Sequence, residues 1–462
     1  MVHGAAGSEG RSGGCCHHRV MGSKPYPLEA AFRGIVSPFE RFLGRTSAGG
    51  IVLVAATAIA VSAATFLGQD AYDALWEPVL DFNLAGGPGV FLTLHGWVNE
   101  GLMALFFLVV GLEIKRETQV GELSTLRDAA LPAAGALGGV LVPAAIYACI
   151  NSGTDAIGGW AVPTATDIAF AVGVLVLLGK RVPRGAIVFM TALAIADDLA
   201  AVAVIALFYA HGLHWGWLQL AAVVLVAMVL CNRAGIRHPM PYALLGVALW
   251  YAMLQSGVHA TVAGLLTALA IPARSRHTPA DFLAYIDALR ANLAAASEAR
   301  VPELADALER AASAVQSPLQ RIEHRLTPWV AFVVVPVFAL ANAGIDTLSV
   351  EWRAMAVHPI AAGVAAGLWF GKPLGIALFA WACVKAGLAR LPSGVTWRDL
   401  AGCAWLGGIG FTMSLFIGQL AFTDTADTER ARLGTVMGST LAAASGTAWI
   451  LVARRRPAGA AR

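Results

Sequence analysis

Long apolar runs, separated by short polar stretches, recur from Ile51 almost to the C-terminus of this 462-residue chain. A helix of about 20 apolar residues crosses a hydrocarbon core about 30 Å thick. The pattern predicts about twelve such spans, at 48–68, 99–114, 130–150, 157–179, 185–209, 216–232, 239–254, 257–272, 328–347, 359–385, 399–421 and 432–453. Between Trp76 and Trp97, WEPVLDFNLAGGPGVFLTLHGW alternates around a Gly-Gly-Pro-Gly turn, which predicts a small β-hairpin. Phe32, Ile35, Phe39 and Leu43 recur at helical spacing among charges, predicting an amphipathic helix over 28–43 at the membrane interface.

Composition fits this reading. The chain is 58% hydrophobic and 13% charged, with a mean hydropathy of +0.68, whereas soluble domains are about 45–50% apolar. The fold class is an all-α polytopic membrane protein. Of the 32 Lys and Arg residues, 28 fall in segments on the N-terminal side of the membrane. The positive-inside rule therefore places both termini in the cytoplasm and the hairpin outside. A net charge of +3 calls for no nucleic-acid partner.

Residues 1–30 read as a disordered tail, rich in Gly and Ser, with no signal-peptide core. The transmembrane domain is expected over 31–458. Within it, 273–320 forms a polar cytoplasmic insertion, where Phe282, Ile286, Leu289 and Leu293, then Leu304, Leu308, Val315 and Leu319, predict two amphipathic helices with solvated outer faces. Cys149, Cys231, Cys383 and Cys403 lie singly in or beside apolar runs and read as small core residues. Cys15, Cys16, His17 and His18 could bind metal, but their Gly/Ser-rich surroundings favour plain disorder.

Two spans are interrupted. GGWAVPTATDIAFAVG (Gly158 to Gly173) carries Pro163 and a Thr-Ala-Thr-Asp run, and GCAWLGGIGFTMSLFIG (Gly402 to Gly418) carries three glycines before Thr412 and Ser414. Such breaks expose backbone groups that must line a cavity or be buried in protein. One break in each half of a membrane chain points to inverted repeats with a site between them.

Four charges sit inside predicted spans. Asp197 and Asp198 are adjacent in LAIADDLAAVAV, Asp167 lies in the first broken span, and Lys372 lies in GKPLG. At roughly 2.5–3.5 kcal/mol each, they would cost about 10–14 kcal/mol together, too much to retain for packing. Three acids against one base leave any pairing incomplete. Two adjacent carboxylates cannot both stay ionised in low dielectric without a cation, so protons and a cation compete for the site. The available ligands are all oxygens, from Asp197, Asp198, the Thr166 hydroxyl and carbonyls freed at the breaks. These suit hard ions, Na⁺, Li⁺, Mg²⁺ or Ca²⁺, and no cofactor is expected. Asp167 beside a half-helix N-terminus and Lys372 beside a C-terminus would neutralise the ends of the broken helices; Lys372 could also pair with Asp197.

GLMALFFLVVGLEIKRE (101–117), VPTATDIAFAVGVL (162–175), LAIADDLAAVAVIALFY (193–209), SGVHATVAGL (256–265), PWVAFVVVPVFALANAG (328–344), GKPLGIALF (371–379) and GIGFTMSLFI (408–417) resemble the NhaA-type sodium/proton antiporters. The resemblance runs from about Phe39 to Val452. It implies twelve transmembrane helices with two broken ones crossing at mid-membrane, and electrogenic, pH-regulated export of Na⁺ or Li⁺ against protons by alternating access. It also implies a location in the cell inner membrane and a homodimer formed through the outer hairpin near 76–97. Asp197 and Asp198 match the ion- and proton-binding pair, Thr166 and Asp167 the crossing, and Lys372 the facing lysine. Glu113, Lys115, Arg116 and Glu117 match one wall of the family's pH-sensing cluster, and Glu323 and His324 another. His259 is a further sensor candidate, although a hydrogen-bonded packing histidine is the plainer reading, since any histidine resembles a sensor by its chemistry. Glu100, on the cation pathway, replaces an aspartate, Thr327 replaces a histidine, and the insertion is longer than the family's. These differences bear on the pH threshold.

An enzyme is disfavoured, because intramembrane aspartyl proteases need their carboxylates on separate helices facing one water. A channel would show charge rings or a carbonyl filter. A sodium-coupled symporter would need an additional organic-substrate pocket.

Overall fold

The computed structural model describes residues 48–82, 89–119, 121, 125–210, 212–273, 283–284, 286–288, 306–309, 316–348 and 352–453. The N-terminal tail, the helix expected over 28–43, the hairpin turn and most of the 273–320 insertion lie outside them.

Every predicted span corresponds to a helix or a broken helix: α1 (Ala48–Leu67), α2 (Leu94–Gln119), α3 (Leu126–Ile150), α4a (Asp155–Thr164) and α4b (Ile168–Leu177), α5 (Arg184–Phe208), α6 (Trp215–Arg233), α7 (Pro239–Ser256), α8 (Thr261–Ala270), α9 (Pro318–Asn342), α10 (Pro359–Lys385), α11a (Trp397–Gly407) and α11b (Phe411–Ala421), and α12 (Thr425–Ala453). Among the described residues nine are long and apolar enough to cross a membrane, and the α11 pair, bent by 42°, makes ten. α7 and α8 complete the set.

The first interrupted span changes helix type. α4a is a 3-10 helix, Ala165 leaves it in an extended conformation, and α4b restarts as an α-helix capped by Asp167. A feature the apolar pattern could not show is a set of π-helical turns, at Trp97–Leu102 in α2, Val330–Val334 in α9 and Gly367–Gly371 in α10. Such turns often mark functional sites. The one in α10 ends directly before Lys372 and Pro373, where proline removes a backbone donor and loosens the ladder.

Helices in lipid gain little from burying apolar surface against each other, so small residues at their contacts matter more. α3 and α10 meet backbone to backbone. A Cβ at Gly138 would lie 2.2 Å from the Gly375 carbonyl oxygen, and one at Gly375 would lie 2.0 Å from the Gly138 oxygen. Since α10 carries Lys372, this seam sets the depth of that ammonium in the bundle. Gly375→Val is expected to yield no folded, monodisperse protein in size-exclusion chromatography. Gly216→Val, where a Cβ meets nothing within 4 Å, should behave as wild type.

The hairpin forms as expected, with β1 (Val79–Phe82) antiparallel to β2 (Val90–Thr93) and Val79 opposite Thr93. It is tied to α2 by Trp97, which stacks on Trp250 and meets Phe82 edge-on. Val79, Leu80, Phe82 and Phe91 are exposed. One expectation is corrected: Cys383 and Cys403 are buried, but Cys149 is exposed and Cys231 half-buried. Cys149 faces outward from the bundle, where lipid tolerates a small apolar thiol as well as a core does, and Cys231 packs at the edge of the core.

Candidate functional site

α5 is a 25-residue apolar helix with Asp197 and Asp198 near its midpoint, each only 1% exposed. Adjacent helical positions diverge by about 100°, and the two carboxylates have different surroundings. Asp197 Oδ2 is 2.6 Å from Lys372 Nζ, an ion pair whose side chains are both buried. Lys372 also donates to the Thr164 carbonyl at the end of α4a. Asp198 has neither oxygen hydrogen-bonded among the described residues, and Asp197 Oδ1 is likewise unmatched. A buried ionised carboxylate without partners is costly, so Asp198 requires a proton or a cation.

The two broken spans cross beside this pair and are bonded through their irregular backbones. Asp167 N donates to the Ile409 carbonyl at 2.7 Å, and Thr166 Oγ1 donates to the Gly407 carbonyl at 2.8 Å. Asp167 serves two half-helices at once. Its Oδ1 accepts from Phe170 N at 3.0 Å, capping α4b, and its Oδ2 accepts from Thr412 N at 3.2 Å and Thr412 Oγ1 at 2.6 Å, at the start of α11b. A carboxylate thus stands at two positive helix ends, and the Lys372 ammonium stands at the negative end of α4a. The Thr166 hydroxyl hydrogen is committed to Gly407, so only its lone pairs could face a cation.

Thr412 was not singled out from the sequence as Asp167's partner, because the two lie 245 positions apart and only the crossing joins them. The same is true of Ser439 on α12, whose Oγ accepts from Gly410 N at 3.2 Å and Phe411 N at 3.1 Å.

A second polar cluster lies at the end of α2 away from the hairpin. Arg116 bridges Glu117 at 3.0 Å and Glu323 of α9 at 2.9 Å, while Lys115 donates to the Leu269 and Ile271 carbonyls at the end of α8, each at 2.5 Å. Glu113 lies one turn back along α2, within electrostatic reach of Arg116 and Glu323 and also of Asp198. His324 is exposed and its ring bonds the Gln320 carbonyl. Thr327 bonds the Glu323 carbonyl at 2.7 Å.

The structure does not bring His259 to this cluster. Its Nδ1 is 3.1 Å from Glu100 Oε1, its Nε2 is 3.0 Å from the Tyr209 carbonyl, and Glu100 Oε2 accepts from Ala260 N. Glu100 and Arg116 are sixteen residues apart on α2, about 24 Å along a helix. His259 and Glu100 thus form a separate pair near the hairpin end.

A bundle of apolar helices, two of them broken and crossing beside buried carboxylates, is the architecture of a secondary transporter. A sequence profile for "Na+/H+ antiporter 1" matches residues 40–450, and the chain belongs to that family, whose members are transporters and not enzymes. It is 52% identical over 436 residues to the Na(+)/H(+) antiporter NhaA of Syntrophobacter fumaroxidans, covering 92% of each chain. It is 49% identical over 433 residues to the Na(+)/H(+) antiporter NhaA of Acidithiobacillus ferrooxidans, covering 91% of this chain and 99% of that one. A third relative so named, from Oleidesulfovibrio alaskensis, is 45% identical over 438 residues, covering 93% and 96%.

Proposed function

We propose that this protein is an electrogenic antiporter that exports Na⁺, and Li⁺ in its place, against protons, by alternating access at the buried site formed by Asp197 and Asp198. The observation that carries this reading is the buried Asp198 carboxylate with both oxygens unmatched, beside an Asp197 already held by Lys372. Asp198 accepts either a proton or the cation. When Na⁺ enters, Asp197 turns from Lys372 to the ion, and Lys372 is left free to lose its proton. With one proton carried by Asp198 and the second by the Lys372 ammonium paired to Asp197, two protons exchange for one monovalent cation, so each turnover moves one net charge.

The crossing supplies the movement. The half-helices are held by a few hydrogen bonds through Thr166, Asp167 and Thr412, so they can shift together and expose the carboxylates to one side and then the other. Glu113, Arg116, Glu117, Glu323 and His324 line the cytoplasmic approach as a pH-responsive charge cluster. Glu100 with His259 stands on the opposite approach, where it contributes to the cation pathway and to pH sensing. The protein resides in the cell inner membrane with both termini cytoplasmic. The exposed apolar strands of the hairpin pair with those of a second copy to form a homodimer.

Competition for one site has a kinetic signature. Where the empty site is protonated, the apparent KM for Na⁺ should fall with each unit rise in pH by about tenfold for each proton the cation displaces, as linkage requires. Na⁺-dependent proton movement in proteoliposomes, across a range of pH equal on both sides, measures this. A KM that stays flat while only the maximal rate responds to pH would separate the proton site from the cation site.

A further inference from the structure

We propose that Ser439 is a positioning residue of the transport site, acting through the half-helix α11b. The inference rests on the antiport reading above.

An α-helix begins with backbone N–H groups that have no partner within the helix, and its N-terminus carries a partial positive charge of about half a unit. α4b satisfies this with its own N-cap, Asp167. α11b cannot, because its N-cap position is Gly410 and no side chain of its own caps it. Its partners come from other helices. Thr412 N is taken by Asp167 of the other broken span. Gly410 N and Phe411 N, the two positions directly before Thr412, both donate to the Ser439 hydroxyl of α12.

The packing of α12 fixes that hydroxyl in place. Ser439 is 5% exposed. Next to it, a Cβ at Gly438 would lie 3.0 Å from Ala365 Cα and from Leu368 Cβ of α10, so the absence of a side chain lets α12 sit against α10. One turn on, Ala442 Cβ would be 3.0 Å from a Cβ at Gly408, in the break itself. α12 is therefore seated against both the Lys372 helix and the broken backbone.

Ser439 thereby does two things. It neutralises two buried N–H groups at a positive helix end beside the acidic site, and it fixes the start of α11b, from which Thr412 grips Asp167. Without the hydroxyl, uncompensated positive charge would face the position where Na⁺ binds and the Thr412–Asp167 contact would loosen. Both changes weaken cation binding. A residue that only filled space would instead lower the amount of folded protein and the maximal rate.

The test is Na⁺-dependent antiport in proteoliposomes containing the full chain, comparing wild type with Ser439→Ala, Ser439→Cys and Ser439→Thr. Loss of a helix cap corresponds to a rise in apparent KM for Na⁺ of about threefold to tenfold. Ser439→Ala should show that rise with a maximal rate, per folded protein, close to wild type. Ser439→Thr, which keeps the hydroxyl, should retain the wild-type KM. If Ser439→Ala does not fold, Ser439→Cys, similar in size with a weak acceptor, carries the test and should show the raised KM. A wild-type KM in Ser439→Ala, or in Ser439→Cys where it must stand in, would overturn the assignment, as would a raised KM in Ser439→Thr equal to that of the alanine variant. If wild type itself shows no Na⁺-dependent proton movement, the antiport reading fails, which is a separate outcome.

Discussion

Asp198→Asn is expected to abolish Na⁺-dependent proton exchange while leaving the protein folded in the membrane. In everted vesicles holding an imposed pH gradient, Na⁺ should dissipate the gradient with wild type and have no effect with the variant, from mildly acidic to alkaline pH. The argument is local. Among the described residues the Asp198 carboxylate makes no hydrogen bond, so replacing it by an amide removes none of their contacts. The amide can neither release a proton nor supply a negative charge to a dehydrated cation. A wild type that leaves the gradient intact, although present and folded, would direct attention to Na⁺-coupled symport.

The second large effect falls on stability. Lys372→Met should destabilise the protein by about 3–5 kcal/mol, the usual cost of stranding one partner of a buried ion pair. The cause is Asp197, which would lose its contact at 2.6 Å within a site almost closed to solvent. Lys372→Met combined with Asp197→Asn should recover most of that loss, since a neutral pair of similar volume is often as stable as the buried ion pair it replaces. Thermal unfolding of the purified single and double variants measures this. Equal destabilisation in the double variant would mean that the contribution of Lys372 comes from its bond to the Thr164 carbonyl and from packing. Both predictions isolate the same asymmetry: one carboxylate is paired and the other is not.

Much of this was legible in the sequence because membrane spans are written in a strong local code. Apolar runs located the helices, nine of them, or ten with the bent pair, long and apolar enough to cross a membrane among the described residues, and Pro163 with the Gly407, Gly408 and Gly410 cluster marked both breaks. The cost of charge in lipid singled out Asp167, Asp197, Asp198 and Lys372, and the structure brings these four to one place. The partnerships that define the site were less accessible. Lys372 is 175 positions from Asp197, and Thr412 is 245 positions from Asp167, so only the assembled crossing pairs them. The hydroxyl of Ser439 lies in an unremarkable small-residue run on α12, and nothing in its neighbours marks it as a cap for another helix. His259 illustrates a different limit. A histidine in a membrane span suggests a sensor by its chemistry, but its place beside Glu100, and away from Arg116, depends on how α7 and α8 meet the start of α2. The π-turn before Lys372 also escaped the apolar periodicity, which is nearly the same for one turn of either helix type.

The central claim is that Na⁺ and protons occupy the same carboxylates. Calorimetric titration of the purified protein with Na⁺, in buffers of different ionisation enthalpy, tests it most directly. The buffer dependence of the binding heat counts the protons released. At a pH where the site is protonated, Na⁺ binding should release at least one proton, and Asp198→Asn should neither bind Na⁺ nor release a proton. Na⁺ binding to wild type with a heat independent of the buffer would contradict the account, because the cation would then bind without displacing a proton.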